Sequence, residues 1–500
     1  MSDRAKPLES ERTSAHLRLE PARDVQEQWL GALARFVFDH LAALEGAPAS
    51  GTVGVDATPI IERVSRPIGE EPLPGGIDEA IRVLDEAAGA SLNAAAPGYL
   101  AYIPGGGIYT AALADFVADC LNRYTGLSAP SPALFRLEQD VLSWLCRSFG
   151  YGPDARALLT PGGSLASLAA VVTARHEHFG DVGSFDRAIV YTSTQAHHSV
   201  AKGVRLAGIP PGNVRSVGVD EMFRMRPDEL KDAIRDDRER RLAPFLVIAA
   251  AGTTNTGAVD PLQAVADLCA NERLWLHVDG AYGGAFALCD EGKKRLFGLE
   301  RADSITFDPH KGLFLPYGTG CLLVRDGQKL QRAHHLGADY LQDLDLASTA
   351  ISWSPAELGP ELSRDFRGLR LWLPLMLHGA RAFRDALTEK LALAERFADG
   401  LDGLVAAGAP LQVVARPQLS LVAFRLAQKP GETLSECNAR NVAFLSAVNA
   451  KKRVHLSSTL LPAPGGSAFT LRVCVLGHRT HERHIDACLE DVAAAITETT

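Results

Sequence analysis

The sequence predicts an α/β fold in which helices cover a large, mostly parallel sheet. From about Leu113 onward, helical patterns alternate with short apolar or β-branched runs, a pattern typical of a parallel sheet with crossover helices. Polar or glycine-rich residues follow most of these runs directly, as they do where a ligand binds at the carboxyl ends of strands. The predicted strands of this sheet are residues 187–191, 245–250, 274–278, 304–307 and 319–324.

An amphipathic helix is predicted near the N-terminus. Apolar residues recur at helical spacing from Val25 to Leu41 and stop before a Gly-, Pro- and Ser-rich stretch at 46–51. The apolar stripe needs a surface to pack on, either the body of the same chain or a second subunit.

The C-terminal part predicts a smaller domain. A long helical pattern from Phe366 to Leu401 leads into it, and residues 419–426 and 471–476 are predicted strands. We therefore predict three parts: a helical, dimer-forming segment over 1–107, a large α/β domain over 108–375 and a small α+β domain over 376–500.

Composition restricts the class of ligand. The chain has 500 residues, of which 46% are hydrophobic and 22% charged, with a formal net charge of -9. A protein that binds nucleic acid relies on clustered Lys and Arg, so this acidic balance argues against such a partner. A small-molecule substrate is the better expectation.

Cysteine usage and hydropathy predict a cytoplasmic protein. The eight cysteines are scattered without a CxxC pair, so we interpret them as reduced thiols in the core. Residues 1–21 are charged and contain no apolar signal-peptide core, and the sequence has no run of 18 apolar residues. These features predict neither secretion nor a membrane partner.

Lys311 and Asp279 are the most informative residues. Lys311 follows the predicted strand 304–307, and Asp279 ends the apolar run 274–278. A lysine that links covalently to an aldehyde cofactor needs a confined site, and an acidic partner keeps the ring nitrogen of such a cofactor protonated. Together these two residues suggest a pyridoxal phosphate enzyme.

A glycine turn that opens a helix predicts a phosphate site. In Leu158-Leu-Thr-Pro-Gly-Gly-Ser164 the turn precedes the small, apolar helical pattern 165–174, and backbone N–H groups at such a helix start bind phosphate. The helix dipole adds only about 0.3 to 1 kcal/mol, so other contacts must retain the ligand. His310, next to Lys311, is a second candidate phosphate contact.

No metal site is predicted. His478, His481 and His484 lie close together on a predicted helix, but no carboxylate or thiol accompanies them at a known ligand spacing.

Five motifs in register resemble the group II pyridoxal phosphate decarboxylases, which include the aromatic L-amino-acid and glutamate decarboxylases. The resemblance extends from about Pro97 to Leu373 and continues more faintly through 471–475. The motifs are Thr160-Pro-Gly-Gly-Ser164, Gln195-Ala-His197, Gly252-Thr-Thr254, His277-Val-Asp279 with Ala281-Tyr282, and Asp308-Pro-His-Lys311.

The resemblance implies a fold type I enzyme, like aspartate aminotransferase, with pyridoxal 5'-phosphate as cofactor. It implies that Lys311 carries the cofactor and that Asp279 pairs with its pyridine nitrogen. His197 would stack on the ring, Ala281 would pack on the opposite face, and Thr254 would lie beside it.

The resemblance also assigns the phosphate contacts and a proton donor. Gly163, Ser164 and His310 would hold the phosphate. Tyr340 stands where these decarboxylases keep a tyrosine that protonates the substrate carbon. Aldehyde-forming members of the family often alter this tyrosine or the stacking histidine, and both are retained here, so plain decarboxylation is expected.

Two positions depart from the family pattern. Gly280 replaces the alanine that usually follows the aspartate, and Asp308 stands where relatives often have asparagine. Either change is expected to alter cofactor seating or phosphate affinity without removing a catalytic group.

The expected substrate is an aromatic L-amino acid such as tryptophan or tyrosine. The segment 97–104 resembles the pocket-lining segment of aromatic decarboxylases and places Tyr102, Ile103 and Pro104 at the substrate side, where apolar walls suit a ring. The resemblance of residues 160–163 to the glutamate-directed branch keeps an acidic substrate open.

Rival functions are an aminotransferase of the same fold and a scaffold protein without activity. The resemblance further implies a homodimer with the active site between its subunits.

Overall fold

The computed structural model describes residues 19–51, 56–181, 184–335 and 353–499. The chain divides into two compact units with a boundary between Ala96 and Pro97. The predicted division into three parts at 107 and 375 stays a prediction. Among the described residues, no helix is both long and apolar enough to cross a membrane.

The described residues of the first unit form three α-helices. They are α1 (Arg23–Ala43), α2 (Thr58–Val64) and α3 (Gly76–Gly89). The predicted N-terminal amphipathic helix is present as α1, in which Ala32 is the one buried residue. Its larger apolar side chains remain partly accessible, including Trp29 at 43% and Val37 at 40% exposure.

The second unit contains the large sheet. Its seven strands are β1 (Arg156–Thr160), β2 (Ala188–Ser193), β3 (Val214–Val217), β4 (Ala243–Ala250), β5 (Trp275–Gly280), β6 (Ser304–Phe307) and β7 (Gly320–Val324). Their order in the sheet is β1-β7-β6-β5-β4-β2-β3. The strands from β3 to β6 pair in parallel, whereas β7 runs antiparallel to both β6 and β1. The predicted mostly parallel sheet is therefore confirmed.

Helices cover this sheet. They are α4 (Tyr109–Leu121), α5 (Pro132–Ser148), α6 (Gly163–Phe179), α7 (His198–Leu206), α8 (Pro227–Glu239), α9 (Leu262–Glu272), α10 (Asp290–Arg295), α11 (Pro309–Gly312) and α12 (Gly327–His334). Every residue of β2, β6 and β7 is buried. Burial on both faces explains why these strands are continuous apolar or β-branched runs.

A four-stranded antiparallel sheet follows toward the C-terminus. Its strands are β8 (Leu411–Ala415), β9 (Leu421–Leu426), β10 (Ser457–Ala463) and β11 (Gly466–Cys474), in the order β10-β11-β9-β8. Its helices are α13 (Arg367–Ala406), α14 (Leu434–Ala450) and α15 (Glu482–Thr499). The predicted long helix is α13, which kinks at Gly379, where φ is 73°.

Two details differ from the sequence predictions. The helix predicted to carry His478, His481 and His484 begins only at Glu482, so the first two histidines precede it. All eight cysteines are free thiols and seven are buried, but Cys120 on α4 is exposed.

The close pairing of β5 with β6 explains the glycine at 280. A methyl group on Gly280 would lie 2.9 Å from the carbonyl oxygen of Thr306 and 3.2 Å from Cα of Gly284. Both neighbours are backbone atoms, so an alanine needs a backbone shift.

We expect Gly280→Ala to lower the free energy of unfolding by about 1 to 3 kcal/mol, because the added methyl group overpacks this site. Gly403→Ala is a matched control, since within the described residues a methyl group there meets nothing within 4 Å beyond its own helix; it should be neutral or slightly stabilising. Urea unfolding of both variants measures the difference. Equal midpoints would contradict this explanation of the glycine.

Candidate active site

The central strands bring the predicted site residues to one edge of the large sheet. Asp279 lies in β5 beside Ala250 of β4, and Gly280 lies beside Phe307 of β6. Since these strands are parallel, the residues that follow them emerge at the same edge. Lys311 comes four residues after the end of β6 and faces this edge.

Lys311 is held by Asp308. The short helix α11 has Pro309 at its first position and Asp308 as its N-terminal flanking residue. Lys311 Nζ lies 2.9 Å from Asp308 Oδ2, and the side chains are 24% and 3% exposed. The lysine is thus partly accessible from the edge of the sheet, whereas its acidic partner is buried.

Asp279 has one carboxylate oxygen fixed by the backbone. Its Oδ1 accepts a hydrogen bond from the N–H of Ala281 at 3.1 Å. Two residues earlier on the same strand, His277 is fully buried between the hydroxyls of Ser304 and Thr306. Burial lowers the pKa of His277 to about 4, so at neutral pH this histidine is uncharged and leaves the negative charge of Asp279 unneutralised.

His197 shares this environment. It precedes α7, and its Nδ1 accepts a hydrogen bond from the backbone N–H of Ser199 at 3.3 Å. In the neutral ring the proton is therefore on Nε2. Burial lowers the pKa of His197 from its usual value, an effect that the charge of Asp279 opposes and that of Lys311 reinforces.

The predicted phosphate contacts lie together at the start of α6. Gly162 precedes this helix at the end of β1, and a methyl group on it would lie 3.9 Å from Cε1 of His310. His310 Nδ1 donates to the carbonyl of Thr319 at 2.6 Å, which orients its ring. Ser164 is exposed in the first turn of α6. The glycine turn, Ser164 and His310 thus form a cradle with an open side.

Arg472 was not among the predicted site residues. Its side chain is buried in β11, yet it makes no ion pair among the described residues. The guanidinium donates to the carbonyl oxygens of Thr254, Asn255 and Tyr102 and to the hydroxyl of Ser457. Arg472 therefore fixes the loop of Thr254 to the loop of Tyr102.

The sequence contained a signal for Arg472. It stands between Leu471 and Val473 in a predicted strand, and a charged residue in such an apolar run is costly unless it is paired or hydrogen-bonded. The groups that hydrogen-bond to Arg472 are distant in sequence, so the charged residue in an apolar run did not by itself show which groups they are.

The predicted substrate-side segment has an unusual backbone. Tyr102 has a φ of 51°, a left-handed conformation that is uncommon for a bulky residue. Its N–H donates to Ser457 Oγ at 2.9 Å, and its side chain is 55% exposed. Ile103 is half-buried and Pro104 is buried. Tyr340 lies outside the described residues.

The residues fit a phosphorylated pyridine aldehyde. Lys311 supplies an amine, Asp279 supplies an anion for the ring nitrogen, and His197 supplies a flat ring nearby. The start of α6 supplies backbone N–H groups for a phosphate. Within the described ranges, no group of three or more His, Cys, Asp and Glu side chains could hold a metal ion.

Comparisons with known proteins also indicate a pyridoxal phosphate enzyme. A family model described as the pyridoxal-dependent decarboxylase conserved domain matches residues 91–427. An aromatic-L-amino-acid decarboxylase of Bacillus atrophaeus is 34% identical over 384 residues, which are 77% of this chain and 78% of that protein. Tyrosine decarboxylase 2 of Arabidopsis thaliana is 33% identical over 407 residues, covering 78% and 71% of the two chains.

Solved structures share the fold. The crystal structure of Oryza sativa TDC with PLP and tryptamine has a TM-score of 0.87 at 26% identity, covering 96% of this chain and 99% of that one. Catharanthus roseus tryptophan decarboxylase in complex with L-tryptophan has a TM-score of 0.84 at 25% identity, covering 97% and 100%. The fold is fold type I. The chain therefore belongs to the pyridoxal-dependent decarboxylase family and is a carboxy-lyase that uses pyridoxal phosphate to decarboxylate an amino acid.

Proposed function

We propose that this enzyme decarboxylates an aromatic L-amino acid, such as tryptophan or tyrosine, to the amine and carbon dioxide. The observation that carries the proposal is the meeting of Lys311, Asp279 and His197 at one edge of the sheet, next to a substrate-side loop that Arg472 holds in place.

Pyridoxal phosphate, when bound, accepts the electron pair that the departing carboxylate leaves behind. Asp279 would hold a proton on the ring nitrogen, since the neutral His277 on the same strand does not compete for its charge. His197 would stack on the ring, and its Nε2–H takes no part in the Ser199 contact, which Nδ1 makes. Ala281 would pack on the opposite face of the ring, and Thr254 would lie beside it.

Proton movements complete the reaction. Lys311 would hold the cofactor through its side-chain amine, which is partly accessible beside the buried Asp308. Tyr340 donates a proton to the substrate's Cα after carbon dioxide has left. Gly163, Ser164 and His310 keep the phosphate in place throughout.

Two features support an aromatic substrate. Tyr102 is presented toward solvent in a conformation that Ser457 and Arg472 hold, and the half-buried Ile103 adds apolar surface beside it. The relatives named above are an aromatic-L-amino-acid decarboxylase and a tyrosine decarboxylase. An apolar wall accommodates a ring without leaving a substrate charge unpaired.

We also propose a cytoplasmic homodimer with the active site between its subunits. The exposed apolar side chains of α1, such as Trp29 and Val37, support a dimer, since they need a partner surface. The three predicted domains, 1–107, 108–375 and 376–500, remain part of this proposal.

The substrate proposal predicts preferential turnover of aromatic amino acids. Purified enzyme with pyridoxal phosphate is given tryptophan, tyrosine, phenylalanine, glutamate, aspartate and cysteine sulfinate separately, and carbon dioxide and amine are quantified. We expect kcat/KM for at least one aromatic substrate to exceed that for every acidic one by about a hundredfold or more, because unpaired charge is rejected by an apolar pocket.

Lys311→Ala provides the blank for this panel and should be inactive. A preference for an acidic amino acid would contradict the substrate assignment. Production of a keto acid without carbon dioxide would indicate an aminotransferase instead.

The role of Tyr340 predicts a defect after carboxylate loss. We expect Tyr340→Phe to lower amine formation by about 10² to 10⁴, the usual contribution of a positioned proton donor, or to divert the product to aldehyde. Single-turnover measurement of carbon dioxide against amine separates the two steps. Tyr124→Phe is a control at an exposed tyrosine whose hydroxyl donates to the carbonyl oxygen of Leu362. Unchanged amine yield in Tyr340→Phe would remove Tyr340 from the mechanism.

A further inference from the structure

Asp308 is a buried carboxylate that has one cationic partner among the described residues. Its Oδ2 lies 2.9 Å from Lys311 Nζ and 3.8 Å from His310 Nε2. The proton of the neutral His310 ring lies on Nδ1, which donates to Thr319, so Nε2 has no proton to give to Asp308. Burial lowers the pKa of His310, although the charge of Asp308 opposes this effect. Lys311 is therefore the group that neutralises Asp308.

The same carboxylate faces the phosphate cradle. A methyl group on Gly163 would lie 2.9 Å from both carboxylate oxygens of Asp308. Oδ1 is buried and has no hydrogen-bond partner among the described residues. A carboxylate left without a partner in a buried site is costly. Asp308 thus stands between the amine of Lys311 and the helix start that would bind a phosphate.

We propose that Asp308 is a positioning residue that holds the Lys311 amine in the cofactor-free enzyme and weakens retention of the cofactor's phosphate. The inference rests on the proposed function, which gives Lys311 the cofactor and Gly163 the phosphate.

Two effects of Asp308 oppose cofactor capture. When the Lys311 amine condenses with the cofactor's aldehyde and releases one water, Nζ has to leave the Asp308 carboxylate. The carboxylate is then without its lysine partner next to the helix start that would bind the phosphate, and like charges repel in a partly buried site. Both effects lower the affinity of the enzyme for the phosphorylated cofactor.

The test compares two aldehydes on wild-type and Asp308→Asn apoenzymes. Pyridoxal phosphate and pyridoxal share the ring and the aldehyde, but pyridoxal lacks the phosphate. Equilibrium dialysis and the absorbance of the bound aldehyde give the dissociation constant of each. We expect Asp308→Asn to bind pyridoxal phosphate about tenfold more tightly than the wild type, equivalent to about 1.4 kcal/mol. The gain in affinity for pyridoxal should be clearly smaller. Without a phosphate, pyridoxal can benefit only from the easier release of the Lys311 amine.

Matched variants make the comparison specific. Asp290→Asn removes a carboxylate that is exposed at the start of α10 and should leave both dissociation constants unchanged. Asp308→Ser is a second neutral replacement, to be used under the same criteria if Asp308→Asn does not fold.

The proposal is overturned if the neutral variants bind pyridoxal phosphate no more tightly than the wild type, or if the gains for the two aldehydes are equal. These measurements do not depend on turnover. A wild-type enzyme that binds pyridoxal phosphate but releases no carbon dioxide from any amino acid would refute the proposed function and leave the Asp308 result intact.

Discussion

The parallel alignment of β4, β5 and β6 is the constraint on which the site depends. Parallel neighbours must end at the same edge, so Asp279 and the segment that leads to Lys311 are brought together although they are far apart in sequence. Buried apolar side chains keep these strands in register. The predicted site residues lie at the strand ends or just beyond them, where the backbone leaves the sheet and side chains become accessible.

Local pattern was enough to predict the central strands and the residues that follow them. Strands β4 to β7 are buried on both faces and carry a strong apolar signal. Strands at the sheet edges, β1, β3, β8 and β10, were not predicted, because short or mixed polar runs resemble turns. The roles of Arg472 were also beyond prediction, since its partners Thr254 and Tyr102 are separated from it by more than 200 residues.

Two buried charges near the site are stabilised in different ways. Arg472 is surrounded by neutral carbonyl and hydroxyl oxygens and by no residue assigned to carry the cofactor, so it gives the substrate-side loop a support that is independent of Lys311. Asp308 depends on Lys311, the residue that is proposed to carry the cofactor. The hydrogen bonds of Arg472 favour a rigid pocket. The ion pair of Asp308 would couple Lys311 to the predicted phosphate cradle.

The central claim is that Lys311 carries the cofactor opposite Asp279. Borohydride reduction of the holoenzyme makes the link permanent, and peptide mapping by mass spectrometry locates it. The modification is expected on Lys311 alone, at about one group per chain. A reduced cofactor on another lysine, or none on the peptide that contains Lys311, would contradict the assignment of the site.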